Sequence, residues 1–239
     1  MGKDRGNAQW LESITKLHLS LNFMKVKIIL LLIFVSCLLH LQAQQRIYTL
    51  NQFTFEDTAG KKYNLDSLKG KVVYVDCWFP ACPPCRAEMP YSKLLQQRLH
   101  TMQMDSNIVF VTINFKQSTE EWKEALNKLP MPKAVHLYSP ASTYEIAMAG
   151  GNYPTYRIFN SKGVLDIENA SRPSEFLRTD FVLYAVSKGE TITNALKIFD
   201  AEKNIAKEKV KNSLLKSFYA FEMKYDKEFV DAFLKLERK

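Results

Sequence analysis

Residues 71–90 read KVVYVDCWFPACPPCRAEMP. From Lys71 to Trp78 the run is β-branched and aromatic and mostly apolar on both faces, as a central strand buried on two sides requires. The helix that follows starts at the CPPC and extends to about Leu99, with Leu94, Leu95 and Leu99 on one stripe and Pro90 expected to kink it. Cys82 and Cys85 therefore stand three residues apart at a strand-to-helix junction. Such a pair can bind a metal, staple a loop or exchange electrons.

Outward from this stretch the chain alternates. Upstream, Gln52 to Leu65 holds two short alternating runs around a turn at Asp57 to Lys61, a hairpin, and Asp66 to Gly70 is a short helical turn. Downstream come a strand at Ile108 to Asn114, a helix at Thr119 to Leu129 with Thr119 as its cap, and a strand at Ala134 to Tyr138. A helix around Thr143 to Met148 precedes two strands flanking Asn160 to Gly163, and a further helix covers about Ser174 to Val186. This order predicts an α/β fold, a mixed sheet with helices on both faces. From Gly189 on, proline and further glycine are absent and apolar residues recur at helical spacing: Leu214, Phe218 and Phe221, then Phe229, Val230 and Phe233. We read 1–43 as an upstream segment with a signal peptide, 44–188 as the core domain and 189–239 as a helical extension that packs on it.

The 239 residues carry a net charge of +8. Lys3, Arg5, Lys16, Lys25 and Lys27 against Asp4 and Glu12 supply three of these charges upstream of residue 44, leaving about +5, too scattered to indicate nucleic acid. Met24 to Gln45, MKVKIILLLIFVSCLLHLQAQQ, has two lysines, an apolar run and a small residue before a polar segment. That is the layout of a secretory signal cleaved after Ala43, with translation starting at Met24, and it predicts a periplasmic or otherwise extracytoplasmic protein. The apolar run is shorter than the ~20 residues of a spanning helix. Two alternatives attach the protein to a membrane: an uncleaved signal, or lipidation of Cys37 in the loose box Phe34-Val35-Ser36-Cys37.

Zinc usually needs four ligands, and only Cys77, His100 and His136 remain in the mature chain to join the pair, so no metal is expected. A structural disulfide closing so small a loop would stabilise weakly. Redox exchange needs a readily ionised, exposed first cysteine and a second within reach. Cys82 at a helix start meets the first condition through unpaired amides and the helix dipole, and Cys85 one turn on meets the second. No cofactor is expected beyond the Cys82–Cys85 disulfide.

The same twenty residues resemble the active-site segment of the thioredoxin superfamily, in particular the exported TlpA/ResA-like thiol-disulfide oxidoreductases. NLDSLKGK before the strand and YPTYRIFNSKG after it match in order and spacing, so the resemblance runs from about Phe53 through the 180s. It implies a thioredoxin-like fold and a cis Tyr153-Pro154 beside the cysteines that docks substrate. It implies an acid under the site, with Asp76 and Glu88 as candidates, and a substrate-facing position for Trp78, whose other reading is packing beneath the loop. Cys77 stands where an aromatic residue is usual and reads as a small buried apolar residue. Protein thiols or disulfides are the implied substrates, and a membrane electron-relay protein the implied donor. Pro83 and Pro84 remove amide donors from the Cys82 thiolate, and no histidine separates the cysteines; both lean toward a reductant. A disulfide oxidase or isomerase, and a redox-inactive binding module, remain alternatives. A peroxiredoxin would want a threonine or serine where Phe79 stands.

Overall fold

A computed structural model describes residues 24–36, 47–104, 106–139, 144–166, 169–222 and 235–236. The chain divides at residue 46 into two units. In the first, residues 24–36 are helical and exposed. Among the described residues no helix is long and apolar enough to cross a membrane. Cys37, Ala43, Phe229, Val230 and Phe233, on which the lipidation, cleavage and tail readings rest, lie outside the described residues.

The second unit is built on a seven-stranded mixed sheet. Its strands are β1 (Thr54–Glu56), β2 (Lys62–Asn64), β3 (Val72–Trp78), β4 (Ile108–Asn114), β5 (Val135–Tyr138), β6 (Thr155–Phe159) and β7 (Leu165–Asp166), in spatial order β2-β1-β5-β4-β3-β6-β7. β3, β4 and β5 are parallel, whereas β6 and β7 add antiparallel on one side and β1 and β2 on the other. Helices α1 (Pro83–Thr101) and α2 (Thr119–Lys128) make the parallel crossovers, and the short α3 (Glu145–Met148) leads to β6. Then come α4 (Arg178–Ser187), α5 (Ile192–Glu202) and α6 (Ser213–Glu222). This is the α/β mixed sheet that the alternation implies, in the thioredoxin-like arrangement that the resemblance implies.

β3 is buried at every residue, as its two-faced apolar composition demands. Val72 and Tyr74 join one core with Leu95 and Leu99 of α1 and Phe181 to Val186 of α4. Val73, Val75 and Cys77 join the opposite core with Leu50, Phe53, Phe55, Ile113 and Met148. The described part of the tail belongs to the first core. Phe199 of α5 and Phe218 of α6 both lie against Phe181, at ring separations of 5.9 and 5.4 Å. Glu202 accepts from the Lys211 and Asn212 amides and closes the link between those helices.

Pro90 lies inside α1, as the sequence reading has it, and the helix continues past it to Thr101. Two local differences from the sequence reading have physical causes. α2 is capped by Ser118 rather than Thr119, in a reciprocal box with Glu121 that satisfies two helix-end donors. α4 begins at Arg178, four residues later than expected. Ser174 spends both its amide and its hydroxyl on Glu88, and Leu177 sits at φ 63°, a left-handed conformation that no α-helix accommodates. Asp180 offsets part of that strain by accepting from the Leu177 amide while its carboxylate takes Arg98 in a two-pronged, fully buried ion pair.

Candidate active site

The helix start decides the chemistry available. Cys82 is the N-cap of α1, in extended conformation, and is joined to Cys85 by a disulfide with Cα atoms 5.3 Å apart. The amides around it can be accounted for one by one. Ala81 donates to Gln117 Oε1 at 2.5 Å, Cys82 to the Phe79 carbonyl at 3.1 Å, and Arg86 to the Cys82 carbonyl at 3.1 Å. Pro83 and Pro84, the first two helical residues, have no N–H. Among the described residues, only the Cys85 amide reaches the Cys82 sulfur, at 3.2 Å.

Both cysteines are covered. Cys82 is 2 % exposed and Cys85 not at all, although Ala81, Pro83 and Pro84 beside them are exposed. The open first sulfur expected from sequence is thus closed in the disulfide form, with half-buried Phe79 and Tyr153 packed on the same cluster. Trp78 is fully buried with Cys82, Cys85, Met89 and Trp122. Its ring forms the floor under the cysteines, and the substrate-facing position expected of it is not where it lies.

Tyr153-Pro154 is cis. β6 starts directly after it, and Thr155 pairs with Cys77, so the sheet register carries the cis bond to the end of β3 that bears the cysteines. Tyr153 is fixed from three sides: its hydroxyl donates to Glu145 at 2.8 Å, its ring meets Phe79 edge-on at 5.0 Å, and the Lys116 ammonium lies 5.1 Å from the ring centre.

Two acids are buried behind the pair. Asp76, on β3, is 6 % exposed, and its Oδ1 has no hydrogen-bond partner. Burial, and after it the charge of Glu88, pushes its carboxyl up to about 8. Tyr156 stands directly across the β3–β6 pair; its hydroxyl, outside hydrogen-bond geometry, opposes the rise weakly. Glu88, on α1, is 7 % exposed and accepts from the Ser174 hydroxyl at 2.8 Å and the Ser174 amide at 3.0 Å. Burial raises its carboxyl, and the Ser174 bonds and Arg172 pull the other way. Cys77 is a free, fully buried thiol whose ionisation burial suppresses, which suits packing and not exchange.

The structure therefore gathers Cys82, Cys85, Trp78, Tyr153 and Pro154 at one end of the sheet, with Glu88 close enough to act on Asp76 behind them. Sequence reading missed Gln117, which fixes the Ala81 amide from 36 residues away, and Ser174, which binds Glu88 from 86 residues away. Neither carries a local signal, because each acts through the tertiary fold.

Several known proteins are similar to this chain. The Thioredoxin-like protein YneN of Bacillus subtilis is 27 % identical over 118 residues, covering 47 % of this chain and 64 % of the relative. The Thiol-disulfide oxidoreductase ResA of the same species is 39 % identical over 61 residues, covering 26 % of this chain and 33 % of the relative. The match thus spans less than two thirds of either relative's own length. The solution structure of a thiol:disulfide interchange protein from Bacteroides sp. overlays at a TM-score of 0.45 and 21 % identity, covering 56 % of this chain and 83 % of that one. The Redoxin family model matches residues 48–173, more than half of the sequence, and the chain belongs to the Redoxin family.

Proposed function

We propose that the protein is an exported thiol-disulfide oxidoreductase that reduces protein disulfides. The observation that carries this reading is the Cys82–Cys85 disulfide at the N-cap of α1, joined by the β3–β6 register to a cis Tyr153-Pro154. In the reduced protein the Cys82 thiolate attacks one sulfur of a substrate disulfide and expels the other as a thiolate. Cys85 then loses its proton and attacks Cys82 Sγ. The substrate's second thiolate leaves, and the disulfide present in the structure closes. Two electrons pass from the cysteine pair to the substrate. An external dithiol must return them, and a membrane protein that relays electrons outward fits an exported location.

Each neighbouring group has a place in these steps. The Cys85 amide supports the Cys82 thiolate, and the helix start adds its dipole. Tyr153-Pro154 offers backbone groups to the substrate segment. Asp76 exchanges the proton of Cys85, so the resolving step quickens as pH rises through about 8, where its carboxylate becomes available.

The donor account supports the direction. A strong oxidant stabilises its free thiolate with several donors, whereas prolines at the first two helical positions leave the Cys82 sulfur with one. A poorly stabilised thiolate disfavours the reduced form and makes the pair give up electrons. Equilibrating the protein with redox buffers of graded ratio tests this. We expect a potential near that of thioredoxin, roughly −270 mV, and a value near about −120 mV would make the protein an oxidant instead. The lysine-led apolar stretch 24–45 supports export.

A further inference from the structure

The two buried acids are held in opposite ways. Asp76 presents an oxygen with no hydrogen-bond partner, whereas both oxygens of Glu88 are taken by one residue, Oε1 by the Ser174 hydroxyl and Oε2 by its amide. Ser174 cannot drift from this position. Tyr74 of β3 donates its hydroxyl to the Ser171 carbonyl at 2.7 Å, and the Ala170 amide donates to the Tyr156 carbonyl of β6 at 3.0 Å. On the other side the Thr179 hydroxyl of α4 donates to the Arg172 carbonyl, and the Arg172 amide donates to Glu175 at 2.9 Å. The segment carrying Ser174 is thus strapped to two strands and a helix.

We propose that Ser174 is a positioning residue which, by binding both oxygens of Glu88, keeps that carboxylate charged and fixed, and so makes Asp76 the member of the pair that holds the proton. The claim deepens the redox reading above in that it assigns the proton-carrying acid of the same site; the electrostatic assignment itself needs no catalysis. Among the described residues, groups that interact with the pair lie on both strands and on the Ser174 segment. Tyr74 and Cys77 lie on β3, Tyr156 on β6, and Arg172 and Glu175 on the Ser174 segment. Arg172 acts on Glu88 in the same sense as Ser174, whereas burial, which holds the Glu88 carboxyl above its ordinary value, and Glu175 act against them. Two hydrogen bonds donated to the charged form favour ionisation against burial. A negative charge fixed at Glu88 then opposes a second one at Asp76, as in any close carboxylate pair.

The test is a carboxyl-carbon NMR titration of Asp76 and Glu88 in the oxidised full chain. In Ser174→Ala, losing one charge-assisted bond is expected to raise the proton affinity of Glu88 about tenfold and to lower the Asp76 midpoint, and Ser174→Thr restores both. Glu88→Gln is expected to lower the Asp76 midpoint without touching Ser174, and adding Ser174→Ala to it changes nothing further. Unchanged midpoints in Ser174→Ala would overturn the proposal, as would a Ser174→Ala shift of Asp76 that persists in the Glu88→Gln background. If Ser174→Ala does not fold, an unmoved Asp76 in Glu88→Gln overturns it equally. Predicted shifts in a wild-type protein that reduces no disulfide would uphold Ser174's role and reject the redox reading.

Discussion

Cys82→Ser is expected to lose disulfide reduction by on the order of 10³-fold or more, while Cys77→Ser leaves it within a small factor of wild type. A serine hydroxyl is scarcely ionised at neutral pH and forms no mixed disulfide, so the first bond-making step disappears. Cys77, by contrast, is fully buried in a core with Val73, Val75 and Ile113. The loss in Cys82→Ser is not a folding loss. The bridge spans a sequence separation of 3, and a loop that small contributes roughly 2 kcal/mol at most by restricting the unfolded chain. Reduction of a two-chain disulfide substrate, followed by precipitation of the released chain, measures both variants. Equal losses in Cys82→Ser and Cys77→Ser would place the reacting sulfur elsewhere.

Asp76→Asn is expected to make the oxidised protein more stable by on the order of 4 kcal/mol at pH 7 and to slow the resolving step. The sign follows from linkage. The carboxyl titrates near its ordinary value of 3.8 in the unfolded chain and near about 8 when folded. Below the lower value both states are protonated and the group costs nothing. As pH rises from there the unfolded chain ionises while the folded one does not, and stability falls until the folded group also ionises, at about 1.4 kcal/mol per pH unit. The amide has no proton to lose, so the advantage of Asp76→Asn vanishes near pH 4 and is fully developed above pH 8. Urea denaturation of both proteins at pH 4, 7 and 9 measures it. A difference that does not change with pH would show that Asp76 is not held protonated. The kinetic effect is separate: without an acceptor the Cys85 proton must go to water, and general-base assistance is typically worth ~10²-fold or more.

The contrast between Cys82 and Ser174 shows what the sequence could and could not disclose. Cys82 and Cys85 are three apart on one helix, next to a strand whose apolar run is unmistakable, so their geometry follows from local periodicity alone. Their pairing and helix-start position in the structure match that reading. The cis bond at Tyr153-Pro154 was visible only through resemblance, since nothing in those two residues singles it out. Helix starts were less legible. Ser118 and Thr119 are both capping residues, and only the reciprocal bond to Glu121 chooses between them. Ser174 reads locally as a helix start, yet its polar atoms are claimed by a glutamate 86 residues earlier, and the helix waits until Arg178. The Arg98–Asp180 pair was hidden for the same reason, because two charges 82 residues apart look like ordinary surface residues until the fold buries them together.

The central claim is that Cys82 attacks and Cys85 resolves. Removing the resolving thiol isolates the first step. Cys85→Ser, incubated with a disulfide-bonded peptide and examined by intact mass and peptide mapping, is predicted to accumulate one peptide per chain, bound to Cys82 and released by a small thiol. No adduct, or an adduct on Cys77, would contradict it.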